Sequence, residues 1–125
     1  MTMQNNLTAI ACAAAFALAA FPASAHHGWG GQANAESDMT GTVVKSVSLA
    51  GPHATMQVNV EGKVYDITLA PPFRTRQSGL TDGMIPVGET VTVHGNRNRD
   101  ANRNEMKTIH VVWKGKTYSV YPERE

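Results

Sequence analysis

The stretch HATMQVNVEGKVYDITLA, residues 53–70, decides the fold. Apolar and polar residues alternate on both sides of Gly62-Lys63, which is typical of two antiparallel strands joined by a tight hairpin turn. Pro71-Pro72 ends the second strand, because a proline cannot donate a hydrogen bond to a neighbouring strand. The stretch therefore predicts a β-hairpin in which each strand turns one face towards a core.

The segments around this hairpin follow the same pattern of short β-rich runs separated by turns. We predict further strands at residues 40–49, 89–95, 105–113 and 117–121, and one short helical segment at residues 73–80. Five or six antiparallel strands with one short helix predict a small all-β barrel of the OB type. A β-sandwich is the alternative.

The parity of the alternation assigns the core and the barrel histidines to opposite faces. The predicted core consists of Met56, Val58, Val60, Tyr65, Ile67, Leu69, Val91, Val93, Ile109, Val111 and Trp113. His53, His94 and His110 fall on the other parity. We therefore expect these three histidines at the surface or the rim of the barrel.

The chain begins with an apolar run at residues 7–21 that carries no charge. The run is shorter than the roughly 20 apolar residues that span a bilayer. Pro22 and the small residues of Ala23-Ser24-Ala25 follow it, which is typical of a signal-peptide cleavage site. Residues 1–25 are therefore predicted to be a signal peptide, and we expect the protein in the bacterial periplasm or outside the cell. The alternatives are a buried N-terminal helix and a lipoprotein lipidated at Cys12.

Cleavage after Ala25 leaves a flexible arm at residues 26–37 and one OB-like domain at residues 38–125. This mature chain has no cysteine, so its stability has to come from packing without disulfides. Its 11 Lys and Arg residues balance its 10 Asp and Glu residues, which disfavours a dedicated nucleic-acid binder. No long apolar segment remains, so we expect no membrane span in the mature form.

Several motifs stand in a fixed order along the chain: AHHGWG (25–30), TGTVVKSV (40–47), GPHA (51–54), LAPPFRTRQSGL (69–80) and VGETVTVHG (87–95). This ordered set resembles a family of small secreted bacterial proteins of unknown function. Members typically begin, after the signal, with two histidines and an aromatic residue. The sequence departs from the family pattern at Leu49 and Gly51, where an aromatic residue and Asn are usual. The resemblance implies export and a barrel, and it implies no particular activity.

His26 and His27 open the predicted mature chain. An N-terminal histidine offers its free α-amine and its imidazole as a chelate, and a third nitrogen completes the T-shaped brace that copper(II) prefers. In this respect the start is similar to those of small periplasmic copper carriers and lytic polysaccharide monooxygenases. We predict a copper site formed by His26, His27 and His53, because a Gly-Pro turn holds His53 where the arm can reach it. No cysteine or carboxylate cluster accompanies the histidines, which disfavours zinc.

We expect copper carriage or buffering rather than an enzyme activity. No serine stands in a nucleophile-elbow context, and no glycine-rich phosphate loop occurs. The competing hypothesis is a non-metal interaction module that holds a periplasmic protein or a small molecule near Phe73 and Arg74. The histidines would then be incidental.

Overall fold

The computed structural model describes residues 28–125, and the predicted signal peptide, His26 and His27 lie outside the described residues. The strands are β1 (Gln32–Ser48), β2 (Thr55–Val60), β3 (Lys63–Thr68), β4 (Thr90–Asn98), β5 (Glu105–Trp113) and β6 (Lys116–Ser119). One α-helix, α1 (Pro72–Gln77), lies between β3 and β4, and a 3-10 turn (Pro122–Arg124) follows β6.

The strands close into a ring because β5 pairs with two different strands along one of its edges. Neighbouring strands follow the order β3-β2-β1-β4-β5-β6, and residues 66–68 of β3 also pair in parallel with residues 105–107 of β5. Further along, residues 110–113 of β5 pair with β6. A closed ring of β1 to β5 with a helix between β3 and β4 has the connectivity of an OB-like barrel. The predicted barrel is confirmed, and the β-sandwich alternative is excluded.

Two glycines allow neighbouring strands to approach each other closely where the ring bends. A Cβ atom on Gly41 of β1 would collide with the backbone carbonyl of Asn59 in β2. A Cβ atom on Gly95 of β4 would collide with the carbonyl of Lys107 in β5, at the point where the β4–β5 register shifts. Any larger residue at either position would push the paired strands apart.

The core lies inside this ring, and most of its members were predicted. Every predicted core residue is buried except Val60 and Trp113, which are partly buried and pack against the core. The sequence missed buried residues in β1, in the β3–β4 connection and near the C-terminus: Met39, Val43, Val47, Leu80, Ile85, Tyr118, Val120 and Tyr121. Irregular register in β1 between residues 43 and 48 breaks the alternation there. Leu80 and Ile85 lie outside any strand, so no alternation marks them.

The chain enters the barrel earlier than the predicted arm at residues 26–37 allows. β1 begins at Gln32, which pairs with Asn98 of β4, and the pairing continues through residues 36–42. The same pairs extend β4 through residues 96–98, which the sequence placed in a polar loop. Both segments are polar and show no alternation, yet pairing satisfies their backbone groups. The boundary of the barrel is therefore corrected from residue 38 to Gln32.

We expect Val93→Asp to unfold the domain. Val93 is fully buried in β4, and an unpaired buried carboxylate costs at least about 3 kcal/mol against a typical stability of about 5–15 kcal/mol. Thr90→Asp is the matched control, because Thr90 lies on the same strand and is exposed. Urea titration followed by circular dichroism measures both free energies of unfolding. An equal loss of stability in the two variants would contradict the assigned core.

Candidate functional site

The three barrel histidines lie off the core, as the alternation predicts. His53 lies in the turn before β2, His94 in β4 and His110 in β5, and each is partly buried. His94 and His110 lie together, whereas His53 has different neighbours. The two places are described in turn.

A row of polar residues crosses β1, β4, β5 and β6 side by side. Asp38 pairs in register with His94, His94 with His110, and His110 with Ser119. The two imidazole rings stack, with centroids 4.7 Å apart and an interplanar angle of 15°. We call Asp38, His94, His110 and Ser119 the polar row.

Two carboxylates hold the ring of His94. Asp38 Oδ1 lies 2.6 Å from Nδ1, and Glu36 Oε2 lies 3.1 Å from Nε2. Both ring nitrogens can donate to carboxylates only when the ring is protonated, so these bonds favour the imidazolium form. Burial by itself lowers the pKa of His94, but the hydrogen bonds and charges of Asp38 and Glu36 outweigh burial and raise the pKa above its usual value.

The other end of the polar row is also bonded to a carboxylate. Glu125 Oε1 lies 2.8 Å from Nδ1 of His110 and accepts a 2.7 Å hydrogen bond from the hydroxyl of Ser119. Burial raises the pKa of Glu125, but the hydrogen bonds from Ser119 and His110 outweigh burial and lower the pKa below its usual value. The polar row is therefore paired within itself. Among residues 28–125, no group of three or more His, Cys, Asp or Glu side chains is arranged to hold a metal ion.

His53 lies close to a buried lysine. Lys107 of β5 is only 3% exposed, and its Nζ lies 5.1 Å from the ring centroid of Trp29 and 5.7 Å from that of Tyr121. The two rings meet edge to face, with centroids 5.2 Å apart. We call Trp29, Lys107 and Tyr121 the lysine cluster. No carboxylate within the described part of the chain forms a salt bridge with Lys107, so its charge is stabilised by the ring faces.

The charge of the lysine cluster acts on its surroundings. Burial lowers the pKa of Lys107, the charge of Glu105 works against that effect, and the charge of Arg124 adds to it. Burial also lowers the pKa of His53, and the charge of Lys107 lowers it further. The imidazole of His53 is therefore neutral over a wider range of pH than usual.

The beginning of the described chain packs on the same ammonium group. A Cβ atom on Gly28 would collide with Nζ of Lys107, and Gly28 has a φ of 81°, in the left-handed region that favours glycine. His27 directly precedes Gly28 in sequence. Of the predicted copper ligands, the structure places His53 and the attachment point of His26 and His27 around one lysine. His26 and His27 themselves lie outside the described residues.

The sequence contained a signal for the lysine cluster that the prediction did not use. Lys107 shares the parity of Ile109 and Val111, which places it on the core face of β5. Trp29 lies in the segment predicted to be a flexible arm, and its position against Tyr121 depends on a contact between residues far apart in sequence. The pairing of His94 with Asp38 depends on strand register, which the sequence does not reveal.

The fold and these two clusters define a small OB-like barrel whose N-terminal segment docks on it through Trp29. The model of a family of unknown function, DUF6152, matches residues 13–107. The chain belongs to this family, which confirms the resemblance to a family of unknown function. No curated protein sequence matches the chain significantly.

Solved structures share the fold at low sequence identity. The crystal structure of the ZRD-deleted mutant of TiaS in complex with agmatine matches 68% of this chain and 26% of that chain, with 12% identity and a TM-score of 0.51. Apo TiaS matches 61% of this chain and 17% of that chain, with 13% identity and a TM-score of 0.46. The chain thus corresponds to about a quarter or less of these proteins, and the likeness shows the fold alone. Within residues 28–125, no helix has the length and apolar character needed to cross a membrane.

We expect the stability that His94 contributes to fall as the pH rises. The pKa of His94 is raised in the folded state, so its contribution is complete below the unfolded-state pKa of 6.5 and is lost as the pH rises through the folded-state pKa. His94→Gln should therefore lower the free energy of unfolding by up to about 1 kcal/mol near pH 6, and by less near pH 8.5. Urea titrations of both proteins at the two pH values measure this difference.

The matched control for this experiment removes the two carboxylates. In a Glu36→Gln, Asp38→Asn background, the effect of His94→Gln should no longer depend on pH. A cost of His94→Gln that grows between pH 6 and pH 8.5 in the otherwise native protein would contradict the assigned bonding.

Proposed function

We propose that the protein is exported and binds copper(II) at the start of its mature chain, for carriage or buffering of the ion. Removal of residues 1–25 would free the α-amine of His26, which forms a chelate with the imidazole of the same residue. His27 or His53 would supply the next nitrogen. The proposal is for binding, with no reaction at the metal.

The position of Gly28 is the observation that carries this proposal. Gly28 packs on the ammonium group of Lys107, and the charge of that group lowers the pKa of His53. His27 is the residue before Gly28, and consecutive Cα atoms are about 3.8 Å apart. A histidine pair attached at this point has a short distance to cover to reach His53. This supports a site shared by the chain start and the barrel.

The surroundings of His53 help a metal ion in one respect and oppose it in another. Burial and Lys107 lower the pKa of His53, so its imidazole is neutral, as a metal ligand must be. The same ammonium group repels a divalent cation, although burial also lowers the pKa of Lys107 and eases the loss of its proton. These opposing effects favour reversible binding, which carriage and buffering require.

Copper(II) fits the proposed donors better than zinc does. An amine and imidazole nitrogens suit the tetragonal geometry of copper(II). Zinc sites more often include thiolates or carboxylates. The mature chain would have no cysteine, since Cys12 lies in the predicted signal peptide.

A second candidate function, the interaction module, is favoured by two other observations. Phe73 on α1 is 68% exposed, which is unusual for a phenyl ring. A surface cavity of about 500 Å³, with Asp38, Lys63 and Arg97 among its lining residues, opens beside β1. Arg74, the other residue expected to meet a partner, is already bonded to Glu123 at 2.6 Å. Phe73 and the cavity would then form the binding surface.

We expect protein that starts at His26 to bind copper(II) at least about tenfold more tightly than the same chain with an extra N-terminal Met. The added residue separates the α-amine from the His26 imidazole and destroys the chelate. Isothermal titration calorimetry in a weakly chelating buffer measures both affinities. His53→Gln should also weaken binding, whereas His110→Gln should not, because His110 is bonded to Glu125.

Equal affinity with and without the extra Met would reject the chain start as the site. An affinity no better than that of a free His-His peptide would also reject it. Either result would make the interaction module the better explanation of the fold.

A further inference from the structure

A small cavity on the far side of Trp29 has no part in the copper proposal. Its volume is about 140 Å³. It lies between the start of β1 and the C-terminal turn, and its lining residues are Trp29, Gln32, Ala33, Asn34, Asn96 and Arg124. None of these is a histidine, so this cavity and the proposed copper site can be tested separately.

Asn96 gives the cavity a hydrogen-bond acceptor that is not used. The residue is 8% exposed, and its Nδ2 donates to the carbonyls of Ala33 at 3.0 Å and Asn34 at 3.4 Å. These two bonds fix the orientation of the amide, because exchanging its oxygen and nitrogen would place an oxygen against two carbonyls. Oδ1 is buried and has no hydrogen-bond partner among the described residues. A buried acceptor of this kind needs a donor from outside the chain.

Arg124 gives the cavity a positive charge without a matching carboxylate. Its guanidinium carbon lies 3.8 Å from the centroid of Trp29, and within residues 28–125 it forms no salt bridge. The nearby acids are engaged elsewhere. Glu123 is bonded to Arg74 at 2.6 Å, and Glu105 accepts hydrogen bonds from Gln32 and Asn98.

The second cation of this region increases the local positive charge. Lys107 lies under the same Trp29 ring, and it is close enough for the charge of Arg124 to act on it. Two cations that repel each other around one aromatic ring would be stabilised by an anion between or beside them. The cavity therefore suits a ligand that carries a negative charge for Arg124 and a hydrogen-bond donor for Asn96.

The volume limits the ligand to a short molecule. A water molecule occupies about 30 Å³ in the liquid, so the cavity holds roughly five groups of that size. We propose that the cavity binds a short 2-hydroxy- or 2-aminocarboxylate, with its carboxylate on Arg124 and its hydroxyl or amino group donating to Oδ1 of Asn96. Glycolate and glycine are the smallest members of these two classes.

Trp29 supplies the signal for the test, since Arg124 covers its ring. The protein has two tryptophans, and a Trp113→Phe background leaves Trp29 as the only one. Trp113 suits this change, because its indole Nε1 is buried without a partner and no hydrogen bond is lost. We expect glycolate or glycine to change the Trp29 fluorescence saturably at about millimolar concentration, as small ligands of this size bind.

The ligand and protein controls separate the proposed contacts from general anion binding. Acetate has the carboxylate without the donor, and it should bind at least about tenfold more weakly. Arg124→Gln should weaken glycolate binding by a similar factor, whereas Arg76→Gln, at an exposed position on α1, should not. Equal binding of glycolate, glycine, acetate and chloride would show general anion binding and overturn the proposal. The absence of any saturable change, or an unchanged affinity in Arg124→Gln, would also overturn it.

Discussion

The closure of the barrel by β5 is the constraint on which the rest of the structure depends. This one strand pairs with β4 along one edge and with both β3 and β6 along the other. Because side chains alternate along a strand, β5 directs Lys107 inward and His110 outward. One strand thus supplies both the lysine cluster and the polar row. The close approach of Gly95 to the carbonyl of Lys107 holds this strand at the position from which both clusters follow.

Lys107 is an unusual component of a barrel interior, because burying a charge is costly unless something compensates for it. Here the faces of Trp29 and Tyr121 take the place that a carboxylate usually takes. This choice leaves a local excess of positive charge in a chain whose net charge is close to zero. The excess keeps His53 neutral on one side of Trp29 and attracts anions beside Arg124 on the other. Trp29, which the sequence placed in a flexible arm, is therefore the residue that connects the start of the chain to the barrel.

Alternation predicted the parts of the fold in which a strand has one wet face and one buried face. Met56, Ile67 and Val93 were readable for that reason. It failed in β1, where irregular register separates Val43 and Val47 by a spacing that no simple alternation has. The outward position of His94 was predictable, but its bonds to Asp38 and Glu36 were not, since they depend on how β4 is paired. Lys107 stood on the core parity, yet a lysine is not expected in a core unless its aromatic partners are known.

Nuclear magnetic resonance of the histidine side chains during copper(II) addition tests the central claim most directly. Copper(II) is paramagnetic, so it broadens the imidazole signals that lie closest to the bound ion. The account predicts that substoichiometric copper(II), added to protein starting at His26, broadens the signals of His26, His27 and His53 first. The signals of His94 and His110 should persist, because carboxylates already occupy their bonding positions. Early broadening of His94 or His110, or equal broadening of every histidine, would contradict a site shared by the chain start and His53.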